Sequence, residues 1–187
     1  MIDTSTPVLI LRSVRHGGLA VTQTLGRLGI PVYVLDSSPH TPSFYSRYCR
    51  GKFTWDIDKA SNEESLAYLS TIGQQFKRKP IVIPTTDTAA IFLASNADAL
   101  RNGFLFPNLS ARLARSLHSK KEMHFLARNA GVLTPNAIFP ESKQDALHFA
   151  QSARFPIMMK IVETRRNIKQ AIHNKIIVHG KQELLRN

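Results

Sequence analysis

The sequence predicts an α/β protein, an open and mostly parallel sheet covered by helices, with a smaller α+β region behind it. Three observations predict this. Short apolar runs such as Pro7-Val8-Leu9-Ile10-Leu11 and Pro31-Val32-Tyr33-Val34-Leu35 have the length and continuity of strands buried on both faces. The stretch between them places Leu19, Val21, Thr22, Leu25 and Leu28 at helical spacing, which makes a parallel strand–helix–strand unit with a right-handed crossover. After Pro107 the alternation gives way to a long helical stretch and then to an unfinished second set of strands.

The elements follow in order. Gly29 stops the first helix and Asp36 ends the second strand. Lys52-Phe53-Thr54-Trp55 is a short strand, and Asn62 caps a helix carrying Leu66, Leu69, Ile72 and Phe76. Pro80-Ile81-Val82-Ile83-Pro84 is a further strand, Asp87 a cap for the helix that follows, and Phe104-Leu105-Phe106 another strand. Residues 110–129 form a helical stretch that Ser119 can divide by capping its second half, with Gly131 and Pro135 ending it. Asn136-Ala137-Ile138-Phe139 is a strand, Ser142 caps a helix running to Ala153, and Pro156–Ile161 and Lys175–His179 are strands before a last helix at Gln182–Leu185. These elements divide the chain into a Rossmann-like domain over 1–109, connecting helices over 110–132 and an incomplete lobe over 133–187.

Composition narrows the function. At 43% hydrophobic, the 187 residues can bury a core, which excludes wholesale disorder. No apolar run approaches the ~20 residues of a membrane span. An acid in Met1-Ile2-Asp3-Thr4-Ser5, where a secretion signal carries a basic region, and no apolar h-region ahead of a cleavage site are unlike a secretion signal, so a cytoplasmic location is expected. Cys49 is the one cysteine, which leaves no disulfide framework and no thiolate metal site. Net charge is +12, and the segment Arg154–Asn187, with eight basic and two acidic residues, supplies +6 of it. That segment contains only Phe155 as an aromatic, so it lacks the stacking platform of a single-strand binder, and nucleotides or anionic metabolites suit the charge better.

Three places can carry chemistry. The first turn reads Arg12-Ser13-Val14-Arg15-His16-Gly17-Gly18; glycine at a helix start lets an anion or substrate approach, with Arg15, His16, Gly17 and Gly18 the candidate contacts. The G-x-G-x-x-G spacing of a dinucleotide fingerprint is absent. Thr85, Thr86 and Asp87 stand at the carboxyl end of a strand, where open α/β sheets bind ligands, although Asp87 also serves simply as a cap. Lys160 lies inside an apolar strand; buried on both faces it would need a partner, and phosphate is a suitable one.

The order of these motifs resembles the ATP-grasp superfamily, in particular its carboxylate–amine ligase-like and carbamoyl-phosphate-synthase-like members. The resemblance runs over residues 7–160: Leu25-Gly26-Arg27-Leu28-Gly29-Ile30-Pro31-Val32 before Asp36, then Ser46-Arg47-Tyr48, Ile83-Pro84-Thr85-Thr86-Asp87, Lys120 followed by Gly131-Val132-Leu133-Thr134-Pro135, and Phe155-Pro156-Ile157-Met158-Met159-Lys160. It implies a pre-ATP-grasp domain and the start of an ATP-grasp N-terminal lobe. It also implies ATP with Mg²⁺ as cofactors and Lys120 and Lys160 as the ATP-phosphate contacts. Ser119 stands where the family has an acid, which leaves Lys121 as a competitor, and Glu163-Thr164-Arg165-Arg166-Asn167 replaces the expected glycine-rich lid. The implied reaction activates a carboxylate as an acyl phosphate for attack by an amine or similar nucleophile. Expected partners are the carboxylate and the nucleotide, with a homodimer allowed and neither membrane nor nucleic acid. The acidic and Asn ligands for Mg²⁺ belong to a second lobe, so these residues alone are expected to be inactive. Two other classes fit the pattern: a stand-alone Rossmann-like module for a nucleotide or small anion, and a basic nucleic-acid-binding protein with steep salt dependence.

Overall fold

The structure is a computed structural model and describes residues 3–13, 16–160 and 175–184. The chain divides into two compact units, Met1–Arg115 and Ser116–Asn187.

The first unit is built on strands β1 (Val8–Leu11), β2 (Val32–Asp36), β3 (Cys49–Thr54) and β4 (Ile81–Pro84). They form one parallel sheet in the order β3-β2-β1-β4. Helix α1 (His16–Arg27) links β1 to β2, α2 (Asn62–Gly73) links β3 to β4, and α3 (Asp87–Ser95) and α4 (Ala97–Leu100) follow. Alternate residues of the central strands feed two cores. Leu9, Leu11 and Leu35 join Leu69 and Ile72 of α2 and Leu93 of α3 on one face. Val8, Ile10, Val32 and Val34 join Phe44, with Val21 and Leu25 of α1, on the other. The continuous apolar runs are thus explained: these strands are covered on both sides.

Several local expectations are refined. Strand β3 begins at Cys49, three residues before the predicted Lys52, because Val32 already pairs with Cys49. The cap of α2 is Ser61 and not Asn62: its hydroxyl accepts from Glu64 N while the Glu64 carboxylate accepts from Ser61 N, closing a capping box. Phe104–Phe106 contributes one isolated bridge, Leu105 to Ile81, rather than a strand.

The second unit holds α6 (Lys120–Asn129), α7 (Lys143–Ser152), β5 (Ile157–Lys160), β6 (Lys175–Val178) and α8 (Lys181–Leu184); α5 (Ala111–His118) spans the division at Arg115. Ser119 caps α6 and Ser142 caps α7, the latter through a second capping box with Asp145. Residues 136–139, expected as a strand, are irregular; Pro135 and Pro140 bracket them and no strand pairs with them among the described residues. β5 and β6 pair antiparallel as a two-stranded sheet. No helix among the described residues is long and apolar enough to cross a membrane.

Candidate functional site

In the first unit, the turns after β1 and β4 lie at the same end of the sheet, because the two strands are parallel neighbours. Thr85 ties them together: its N–H donates to Leu11 O at 3.1 Å and its hydroxyl donates to Arg12 O. Thr86 caps α3 by accepting from Ala89 N at 3.2 Å, so Asp87, expected as the cap, is instead the first helical residue. Thr86 has the extended backbone that a cap requires.

Gly17 and Gly18 differ. A Cβ on Gly18 would stand 2.7 Å from the Ser13 Cα, so this glycine lets α1 approach the preceding loop. Around it Ser13 hydrogen-bonds Ser43, Thr41 Oγ1 donates to Ser13 O at 2.8 Å, and Thr22 Oγ1 donates to Gly18 O at 2.8 Å. Gly18 is therefore a packing position. Gly17 and His16 are exposed, with open space beside the Gly17 Cα. Arg15 lies outside the described residues.

Sequence reasoning missed Arg12. Its φ of 66° puts a side-chain-bearing residue in the left-handed region, at a cost of about 1–2 kcal/mol. Its guanidinium reaches across the end of β2, with Nη1 donating to Ser37 Oγ at 2.5 Å and Nη2 paired with Asp58. Two buried polar atoms at this corner, Arg12 Nε and Asp36 Oδ2, have no hydrogen-bond partner among the described residues. Nothing in the composition signals a strained arginine. Its place directly after a buried strand was the only available hint.

Cys49 is half-buried and its thiol donates to Gly51 O at 3.3 Å. Burial pushes this thiol above its ordinary range, the reverse of what an activated nucleophile needs.

In the second unit, Lys120 is the first residue of α6 and is exposed. Lys121 lies 3.8 Å from the Glu141 carboxylate. Lys160 ends β5, and the strand is half-exposed rather than buried on both faces, because among the described residues it pairs with β6 alone. In that register Lys160 stands directly opposite Lys175, both exposed. Like charges opposite one another destabilise a strand pair, so the sequence places two positive charges where an anion would relieve them. The Glu163–Asn167 segment lies outside the described residues. No group of three His, Cys, Asp or Glu among the described residues is placed to hold a metal ion.

No family model and no curated protein sequence matches the chain. Solved structures do. N5-carboxyaminoimidazole synthetase from Staphylococcus aureus complexed with ADP superposes with a TM-score of 0.68 at 14% identity, over 99% of this chain and 44% of that one. L-amino acid ligase from Bacillus licheniformis gives a TM-score of 0.62 at 14% identity, over 99% and 42% of the respective chains. A biotin carboxylase–β,γ-ATP complex from Campylobacter jejuni gives 0.56 at 14%, over 95% and 40%. The chain thus spans less than half the length of the proteins it matches. Its fold is that of the N-terminal portion of ATP-grasp enzymes.

Proposed function

We propose that this chain is the front portion of an ATP-dependent ligase that activates a carboxylate as an acyl phosphate for attack by an amine or similar nucleophile. The observation that carries the proposal is the juxtaposition of Lys160 and Lys175 across β5 and β6, in a fold that matches ATP-grasp enzymes over 99% of its length. Lys120 and Lys160 are assigned to the ATP phosphates, and Lys175 adds to the same field. A lysine presents a compact charge with three donors, which suits a triphosphate better than a dinucleotide's pyrophosphate and ribose together. Within this reading, residues 1–109 are the pre-ATP-grasp domain, 110–132 the connecting helices and 133–187 part of the N-terminal lobe. His16, Gly17, Thr85, Thr86 and Asp87 then present the substrate end of the sheet.

The described residues supply cations but no metal cluster, so Mg²⁺, which when bound would neutralise phosphate charge, is assigned no ligand here. What these residues can do is attract and orient the phosphates. Orientation without metal ligands gives weak, salt-sensitive association and no turnover.

Titration of the 187-residue chain with ATP and with NAD separates the readings. ATP should bind in a salt-dependent manner, and Lys120→Ala and Lys160→Ala should each weaken it. Preferential binding of NAD, untouched by those substitutions, would instead make the chain a stand-alone dinucleotide module.

A further inference from the structure

The geometry points to Arg12 as a binding site for a ligand carboxylate, which Asp58 occupies from within the chain when no ligand is bound. The inference rests on the ligase reading only for the identity of that ligand as a carboxylate substrate.

Strain comes first. Arg12 alone among the described non-glycine residues has a positive φ, 66°. Such backbone persists where its surroundings over-determine it and gathers at binding sites. Here β2 and the turn after β4 fix it: Arg12 N donates to Leu35 O at 2.9 Å, and Arg12 O accepts from the Thr85 hydroxyl. The left-handed turn throws the side chain sideways over the end of β2, at the carboxyl edge of the sheet where open α/β folds take ligands.

Satisfaction comes second. The side chain is 11% exposed, yet its fork is incompletely used: Nη1 goes to Ser37, Nη2 to Asp58, and Nε to no partner among the described residues. A guanidinium offers a carboxylate two parallel donors, and Asp58 engages through a single nitrogen, Nη2. Asp58 is also the more exposed partner, at 30%, and lies in the loop between β3 and α2, so it can leave without disturbing a strand. A ligand carboxylate with a free choice of angle can take Nε and Nη2 together. It replaces Asp58 and satisfies the orphaned donor.

A purely structural ion pair is the competing explanation, and it predicts opposite behaviour. Malonate and inorganic phosphate are the probes, titrated against the 187-residue chain with NMR observation of the Arg12 Nε–H signal, identified by its loss in Arg12→Lys. Asp58→Asn removes the internal competitor, so malonate should bind on the order of ten-fold more tightly than to the parent chain, with the Nε–H signal moving. In the Arg12→Gly/Asp58→Asn double variant that gain should vanish, while glycine accepts the left-handed backbone without strain. The inference is overturned if Asp58→Asn lowers the melting temperature with no gain in malonate affinity, if the gain survives in the double variant, or if phosphate shows the gain and malonate does not. None of these outcomes touches the ligase reading, whose test is the nucleotide response of Lys120 and Lys160.

Discussion

Strands β1 and β5 are the same length, four residues each, and both are apolar except for Lys160 at the end of β5, yet they meet opposite fates. Every residue of β1 is buried between two cores, whereas β5 alternates between partly buried and exposed positions. The difference lies in the partners and not in the strands. β1 has a parallel neighbour on each side and helices over both faces; among the described residues β5 has β6 alone. Among the described residues of the second unit, only Ala150 and Val178 are buried hydrophobics, while Phe125, Leu133 and Met158 are exposed. A strand's sequence sets its capacity for burial, and its neighbours decide whether that capacity is used.

Truncation should split the two units most widely. Leu9→Ala, at a site with no exposed surface, should cost about 2–5 kcal/mol by urea unfolding. Leu133→Ala, at a fully exposed leucine, should stay within about 0.5 kcal/mol. Equal costs would mean that Leu133 is covered in solution and the contrast is false. Gly18→Ala comes next. The new methyl would collide with the Ser13 backbone, at a cost of about 1–3 kcal/mol, whereas Gly17→Ala meets open space and should cost far less.

The caps give a smaller and pH-dependent effect. Ser61→Ala in the first unit and Ser142→Ala in the second should each cost about 1 kcal/mol at neutral pH. The Glu64 carboxyl is held below its ordinary 4.5, first by the Ser61 backbone N–H and then by its hydroxyl. The Asp145 carboxyl is held below its ordinary 3.8, first by the Ser142 hydroxyl and then by the backbone N–H groups of Glu141 and Ser142. A depressed folded value means stability that is present above the ordinary value and is lost as pH falls through the depressed one. Unfolding midpoints measured from pH 6 down to ~2 should therefore drop for both boxes. Ser142→Ala should flatten its acid limb more than Ser61→Ala does, since the hydroxyl leads only for Asp145. The smallest effect is at the paired lysines: Lys175→Ala should stabilise the β5–β6 pair by about 0.2–1 kcal/mol while weakening phosphate binding.

What was legible in the sequence follows the same division. Buried runs and helical spacing located β1, α1, β2, α2, β4 and α3, because each carries its burial pattern in its own residues. Ser119 and Ser142 were readable as caps because capping is local. Residues 136–139 were misjudged as a strand because strand formation needs a partner that no local pattern reveals. The two turns at the carboxyl end of the sheet could be placed from topology alone. The left-handed backbone of Arg12 and the register that sets Lys160 against Lys175 depend on contacts 25 to 73 residues away and on strand pairing, so neither was visible.

The phosphate assignment is tested most directly by ³¹P NMR of MgATP mixed with the 187-residue chain, repeated with Lys120→Ala, Lys160→Ala and the double substitution. If the two lysines hold the phosphates, the β- and γ-phosphate lines shift on addition of the chain. Each substitution then shrinks the shift, the double substitution abolishes it, and no inorganic phosphate line grows over hours. Phosphate lines that shift equally with the doubly substituted chain would place the nucleotide elsewhere. Steady accumulation of inorganic phosphate, lost in the lysine variants, would show that these residues already form a working active site.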